Sequence, residues 1–138
     1  MAVDEETAFT LEETAGMGAS GNILSIGLGD LVSARNAALR AAGFDVVAAM
    51  SLEDVFRLCG SSQFDLAIVG HGFSVAERAE FVVCIKGDFQ LPVILIDDGQ
   101  IMASLRVDSH VHVNDSAEEL IRAIERLMNG HGSAAIAV

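Results

Sequence analysis

The chain has 138 residues, 51% of them apolar, enough for one domain to bury a core without disulfide or metal staples. Its formal charge of −12, its single lysine (Lys86) and its lack of Trp and Tyr exclude a phosphate-binding or base-stacking nucleic-acid surface. The apolar runs are too short for a membrane span, and no basic segment precedes an apolar core at the acidic N-terminus, so a cytoplasmic location is expected.

Residues 1–21 read as a solvated, disordered tail. Asp4, Glu5, Glu6, Glu12 and Glu13 cluster there, and Thr10-Leu-Glu-Glu13 has a capping-box form that supports no more than a helical turn. Ile23–Ile26 is the first strand. Asp30 is placed to cap a helix over Leu31–Ala42, whose inward stripe is Leu31, Ala34, Ala38 and Ala42 with Leu39 beside it. Gly43 ends that helix, and Phe44 folds back onto its last turn. Asp45–Ala49 is the second strand. Ser51-Leu-Glu-Asp54 opens a second helix carrying Val55, Phe56 and Leu58, with Gly60 as its stop.

The third strand, Leu66-Ala-Ile-Val69, is a continuous apolar run of the kind buried on both faces of a parallel sheet. Gly70-His-Gly72 follows it, and Ser74-Val-Ala-Glu77 caps a third helix to about Lys86, with Phe81, Val82 and Ile85 inward and Gly87 as its stop. The fourth strand is Leu91–Ile96, with the only proline at its start, where a missing N–H costs nothing. Asp97-Asp-Gly99 turns the chain, leaving Gln100–Leu105 room for one or two helical turns. Ser109–Val113 is the fifth strand. Ser116 caps the last helix, which Gly130 ends before a short flexible tail, 130–138. Cys59 and Cys84 lie within apolar helical patterns without metal-ligand spacing and read as buried free thiols.

Five strands alternating with helices imply an α/β fold: a flavodoxin-like, doubly wound, five-stranded parallel sheet of order 2-1-3-4-5, with a shortened or missing fourth helix. Right-handed crossovers put the first and last helices on one face and the others opposite. In such sheets, ligands and chemistry gather outside the carboxyl ends of the strands, here at Gly70 and His71.

Ile23–Ile26, Ala41-Ala-Gly-Phe-Asp-Val-Val47, Phe64-Asp-Leu-Ala-Ile-Val69, Pro92-Val-Ile-Leu-Ile96 and Ser116-Ala-Glu-Glu-Leu120 occur in an order and spacing that resembles the receiver domain of bacterial two-component response regulators. The resemblance covers residues 22–129. It implies phosphoryl transfer to an aspartate after the third strand, with Mg²⁺ held by an acidic pair after the first. A Ser/Thr after the fourth strand and a lysine after the fifth would grip the phosphoryl oxygens.

None of these groups is present. The phosphoacceptor position falls on Gly70, and the acidic pair on Gly27 and Leu28, or on Ile26 and Gly27 if a one-residue deletion is placed earlier. Asp97, with Asp98 beside it, takes the Ser/Thr position, where carboxylates repel phosphate. Val113 or Asn114 takes the lysine position, and Val111 or His112 that of the aromatic switch residue. The resemblance therefore implies a stand-alone pseudo-receiver, neither enzyme nor cofactor carrier, that binds another signalling protein or a second copy of itself and neither nucleic acid nor membrane. Its expected interaction face is Ile101, Met102, Leu105 and Val111.

Other readings compete with this one. A conventional phosphorylated receiver in a phosphorelay would need a new acceptor, and a small-molecule sensor would use the room that Gly27 and Gly70 leave. His71, Asp97 and Asp98 form a candidate metal set, although carboxylates at strand ends more often bond backbone N–H groups. His110-x-His112 is a candidate metal clip, against the plainer reading of a polar outward face opposite Val111 and Val113.

Overall fold

The computed structural model describes residues 21–70, 72–97 and 106–137. Strand and helix alternate as β1 (Asn22–Ile26), α1 (Asp30–Ala41), β2 (Asp45–Ala49), α2 (Leu52–Ser61), β3 (Leu66–Val69), α3 (Val75–Cys84), β4 (Val93–Asp97), β5 (Ser109–His112) and α4 (Ala117–Ala137). All strand pairs are parallel, in the order β2-β1-β3-β4-β5. This is the doubly wound order that the sequence predicts. The acidic tail 1–20, His71 and the segment 98–105, which includes Asp98 and the predicted short helix, lie outside the described residues.

β3 is the central strand, and all four of its residues are buried. Because side chains alternate along a strand, its residues serve two cores. Leu66 and Ile68 join Ile23, Leu39, Ile94, Leu120 and Ile124 on one face. Ala67 and Val69 join Leu24, Val55, Phe81, Val82 and Leu95 on the other. So α1 and α4 cover one face and α2 and α3 the opposite one, as right-handed crossovers require.

Local hydrogen bonds set most of the helix ends. Gly43 takes a φ of 107°, which lets Phe44 N–H donate to Leu39 O at 3.1 Å while its ring enters the core. Ser74 and Glu77 form a complete capping box: Glu77 N donates to Ser74 Oγ at 3.1 Å, and Ser74 N to Glu77 Oε1 at 2.9 Å. Ser74→Ala removes one acceptor and is expected to cost about 1 kcal/mol in a urea melt. A change below about 0.3 kcal/mol would mean that the box does not hold this helix end.

Several boundaries differ from the sequence expectation. Asp30 is the first residue of α1 and not its cap; Gly29 is the cap, and no side chain bonds there. The carboxylate of Asp30 then acts only through its charge near the positive helix end. α2 runs through Gly60, α3 continues as a π turn (Ile85–Phe89) through Gly87 to Gln90 at φ 57°, and α4 runs past Gly130 to Ala137. Glycine lowers helix propensity by about 1 kcal/mol. That does not end a helix whose next backbone bonds still have partners. Lys86 Nζ meets Asp108 Oδ2 at 2.6 Å, and the same carboxylate oxygen accepts from Val93 N, so the only lysine ties the π turn to the start of β4. Among the described residues, no helix is long and apolar enough to cross a membrane.

Candidate functional site

Gly27 follows β1 and Gly70 follows β3, and both are buried at the carboxyl edge of the sheet. Gly70 N donates to Ile26 O at 2.7 Å and Gly27 N to Ala49 O at 3.2 Å. These N–H groups are used in backbone pairing and do not point into an open anion cradle.

The space beside the two glycines is not empty. A Cβ on Gly70 would lie 3.1 Å from both Arg35 Nη1 and Arg35 Nη2, and 2.9 Å from Ile26 O. A Cβ on Gly27 would lie 2.5 Å from Val32 Cγ2 and 3.3 Å from Arg35 Nη2. The room that the sequence reading assigns to a ligand at these glycines is taken by two α1 side chains. Both glycines are required by close approach, since neither has a positive φ.

A short hydrogen-bonded chain anchors Arg35. Its Nη2 donates to Ser25 Oγ at 3.1 Å, and Ser25 Oγ donates to Asn36 Oδ1 at 2.7 Å. Ser25 and Asn36 are buried, and Arg35 is half-buried. Arg35 Nε is buried and has no hydrogen-bond partner. No ion pair among the described residues includes Arg35. Burial pushes the guanidinium down to about 10, which leaves it charged at neutral pH.

The apolar pattern places Leu39 and Ala42 against the core correctly but misses this cluster, because it also puts Leu31 and Ala34 inward, and both are exposed. Val32, Asn36 and Leu39 are the buried residues, whereas Leu31, placed inward by the apolar pattern, is 60% exposed. Val32, Arg35, Asn36 and Leu39 do fall at i, i+3, i+4 and i+7, the spacing of one helix face. Two of the four are polar, and polarity hides the stripe.

The other expected site residues are dispersed. Leu28 is exposed, and Asp97 is half-buried at the end of β4, where its carbonyl accepts from Val113 N at 2.8 Å. Val113 packs against the core, and Asn114 is exposed, its N–H donating to His112 Nδ1 at 3.0 Å. Val111, assigned by sequence to an interaction face, is only 6% exposed and lies in the core under α4. Strand alternation turns it inward and leaves His110 and His112 outside. Ile101, Met102 and Leu105 lie outside the described residues, as do His71 and Asp98. Among the described residues, no three His, Cys, Asp or Glu side chains group as metal ligands. Burial raises both cysteine thiols, and the charge of Asp88 raises Cys84 further, which keeps them protonated and unreactive.

No family model matches the sequence, and no curated protein matches it. Solved structures do. The N-terminal domain of a response regulator/sensory box/GGDEF 3-domain protein from Carboxydothermus hydrogenoformans superposes with a TM-score of 0.68 at 17% identity, covering 83% of this chain and 98% of that one. The chemotaxis protein CheY4 of Vibrio cholerae gives 0.64 at 18% identity, over 78% and 98% of the two chains. The receiver domain of the sensor histidine kinase PA1611 from Pseudomonas aeruginosa PAO1, which has a magnesium ion coordinated in its active-site cleft, gives 0.63 at 13% identity, over 78% and 96%. The chain has the CheY-like receiver fold. In this chain the carboxyl ends of β1 and of the central strand β3 carry Gly27 and Gly70, with Arg35 against both.

Proposed function

We propose that this chain is a pseudo-receiver: a cytoplasmic signalling module of two-component type that works by protein–protein association and not by phosphoryl transfer. The observation that carries this reading is the packing of the Arg35 guanidinium against Gly70 and Gly27. A receiver needs a carboxylate after β3 to accept the phosphoryl group and acids after β1 to hold Mg²⁺. Gly70 offers no nucleophile, Gly27 and Leu28 offer no ligand, and a fixed cation fills the space between the strand ends. The intact fold, with its buried central strand and its Ser51 and Ser74 helix caps, fits a surface kept for binding. The partner is another signalling protein or a second copy, bound through the face that carries Met102 and Leu105.

Incubation with acetyl phosphate and Mg²⁺, followed by intact mass and amide-shift measurement, is expected to give neither an adduct nor a shift. The untreated protein, used as bait in its native cell, is expected to retain a partner that M102E/L105E loses. A phosphoryl adduct, or association unaffected by that double variant, would overturn the reading.

A further inference from the structure

Among the described residues, Arg35 is a half-buried cation without an ion-pair partner. A single neutral partner, Ser25 Oγ, meets one of its N–H donors, and its Nε has none. Holding such a charge away from water is unfavourable unless something pairs with it. The chain has 20 Asp and Glu residues from which a partner could have been supplied, yet none among the described residues pairs with Arg35.

A cavity of about 220 Å³, lined in part by Arg35, opens between α1 and α4 and over the ends of β4 and β5. Besides Arg35, its walls include Leu31, Ala34, Val111, Val113 and Leu120. It is distinct from the filled space at Gly27 and Gly70, although Arg35 borders both. We propose that this cavity binds a small amphipathic monocarboxylate, its carboxylate on Arg35 and its ring or short chain against Val111, Val113 and Leu120.

Size, shape and charge each select this ligand class. A cavity of about 150 Å³ accepts benzene, so this one has room for a ring bearing one carboxylate. A planar guanidinium matches a carboxylate in two parallel hydrogen bonds, and the apolar walls favour the rest of such a molecule over a fully hydrated ion. Asp115 also lines the cavity and adds negative charge, which disfavours a dianion such as phosphate. Association with a partner protein does not require this ligand, so each proposal can fail without the other.

The test uses the full chain with benzoate, benzamide and inorganic phosphate as probes, read by thermal shift and by methyl signals of Val111, Val113 and Leu120. Benzoate at about 10 mM is expected to raise the midpoint by about 4 °C and to move those signals. Benzamide, equal in shape but neutral, is expected to bind at least about tenfold more weakly, and phosphate to leave the methyl signals in place. R35M removes the charge, and A34F fills the cavity mouth from an exposed position; both are expected to abolish the benzoate response. The proposal is overturned if benzoate produces no shift or if benzamide matches it. It is also overturned if phosphate moves the same signals, or if A34F binds as the unaltered protein does.

Discussion

Gly70→Ala is expected to destabilise the fold by about 2 kcal/mol, although it adds one methyl group and leaves the helix caps untouched. The added carbon would lie 2.9 Å from Ile26 O and 3.1 Å from both Arg35 terminal nitrogens. Ile26 O cannot retreat, because it accepts from Gly70 N at 2.7 Å and belongs to the buried strand β1. Arg35 is bonded to Ser25 and has limited room to move. A double-mutant cycle separates the two contacts. Combined with Arg35→Met, the alanine is expected to cost about 0.5–1 kcal/mol less than alone, the coupling typical of touching side chains. Urea melts of the four proteins measure this. A neutral Gly70→Ala would show that the close approach of α1 to β3 is not what requires glycine, and strict additivity would assign the whole cost to the backbone oxygen.

Apolar periodicity makes this fold legible before any coordinates. Leu66–Val69 is apolar at every position because both of its faces are buried, and the Ser74–Glu77 spacing marks a helix start because both side chains bond backbone N–H groups there. The helix ends were less legible. Gly60, Gly87 and Gly130 resemble stops, but a glycine ends a helix only where the chain turns out of it, as at Gly43. The site was half legible. Missing carboxylates at Gly27 and Gly70 can be read directly, whereas the occupant of their space cannot, because an arginine on α1 looks like part of a solvated face. Arg78, 1% exposed on α3, is hidden by the same rule. Two buried glycines at adjacent strand ends carry the missed signal: space without side chains calls for a long one from elsewhere, and α1 carries Arg35 above them.

Arg35→Met is expected to stabilise the protein by about 1–3 kcal/mol, against the usual direction of substitutions at half-buried sites. Methionine keeps an unbranched chain that can fill the space between Gly27 and Gly70. It removes a desolvated charge whose only partner among the described residues is the Ser25 hydroxyl, and Ser25 keeps its bond to Asn36. The pH dependence follows from the direction of the shift. Burial lowers the folded-state value to about 10, below the ordinary guanidinium value. The folded protein therefore holds this proton less tightly than the unfolded chain does, and the penalty is complete at every pH below about 10 and relieved only above it. The gain in Arg35→Met should accordingly be the same at pH 6 and pH 8 in chemical denaturation. A residue kept at such a cost needs a compensating role, and the adjoining apolar cavity supplies one if a carboxylate binds there. Stabilisation of the variant with loss of the benzoate response would join the two observations. Destabilisation by about 1 kcal/mol or more would instead make Arg35 a structural filler for the two glycines.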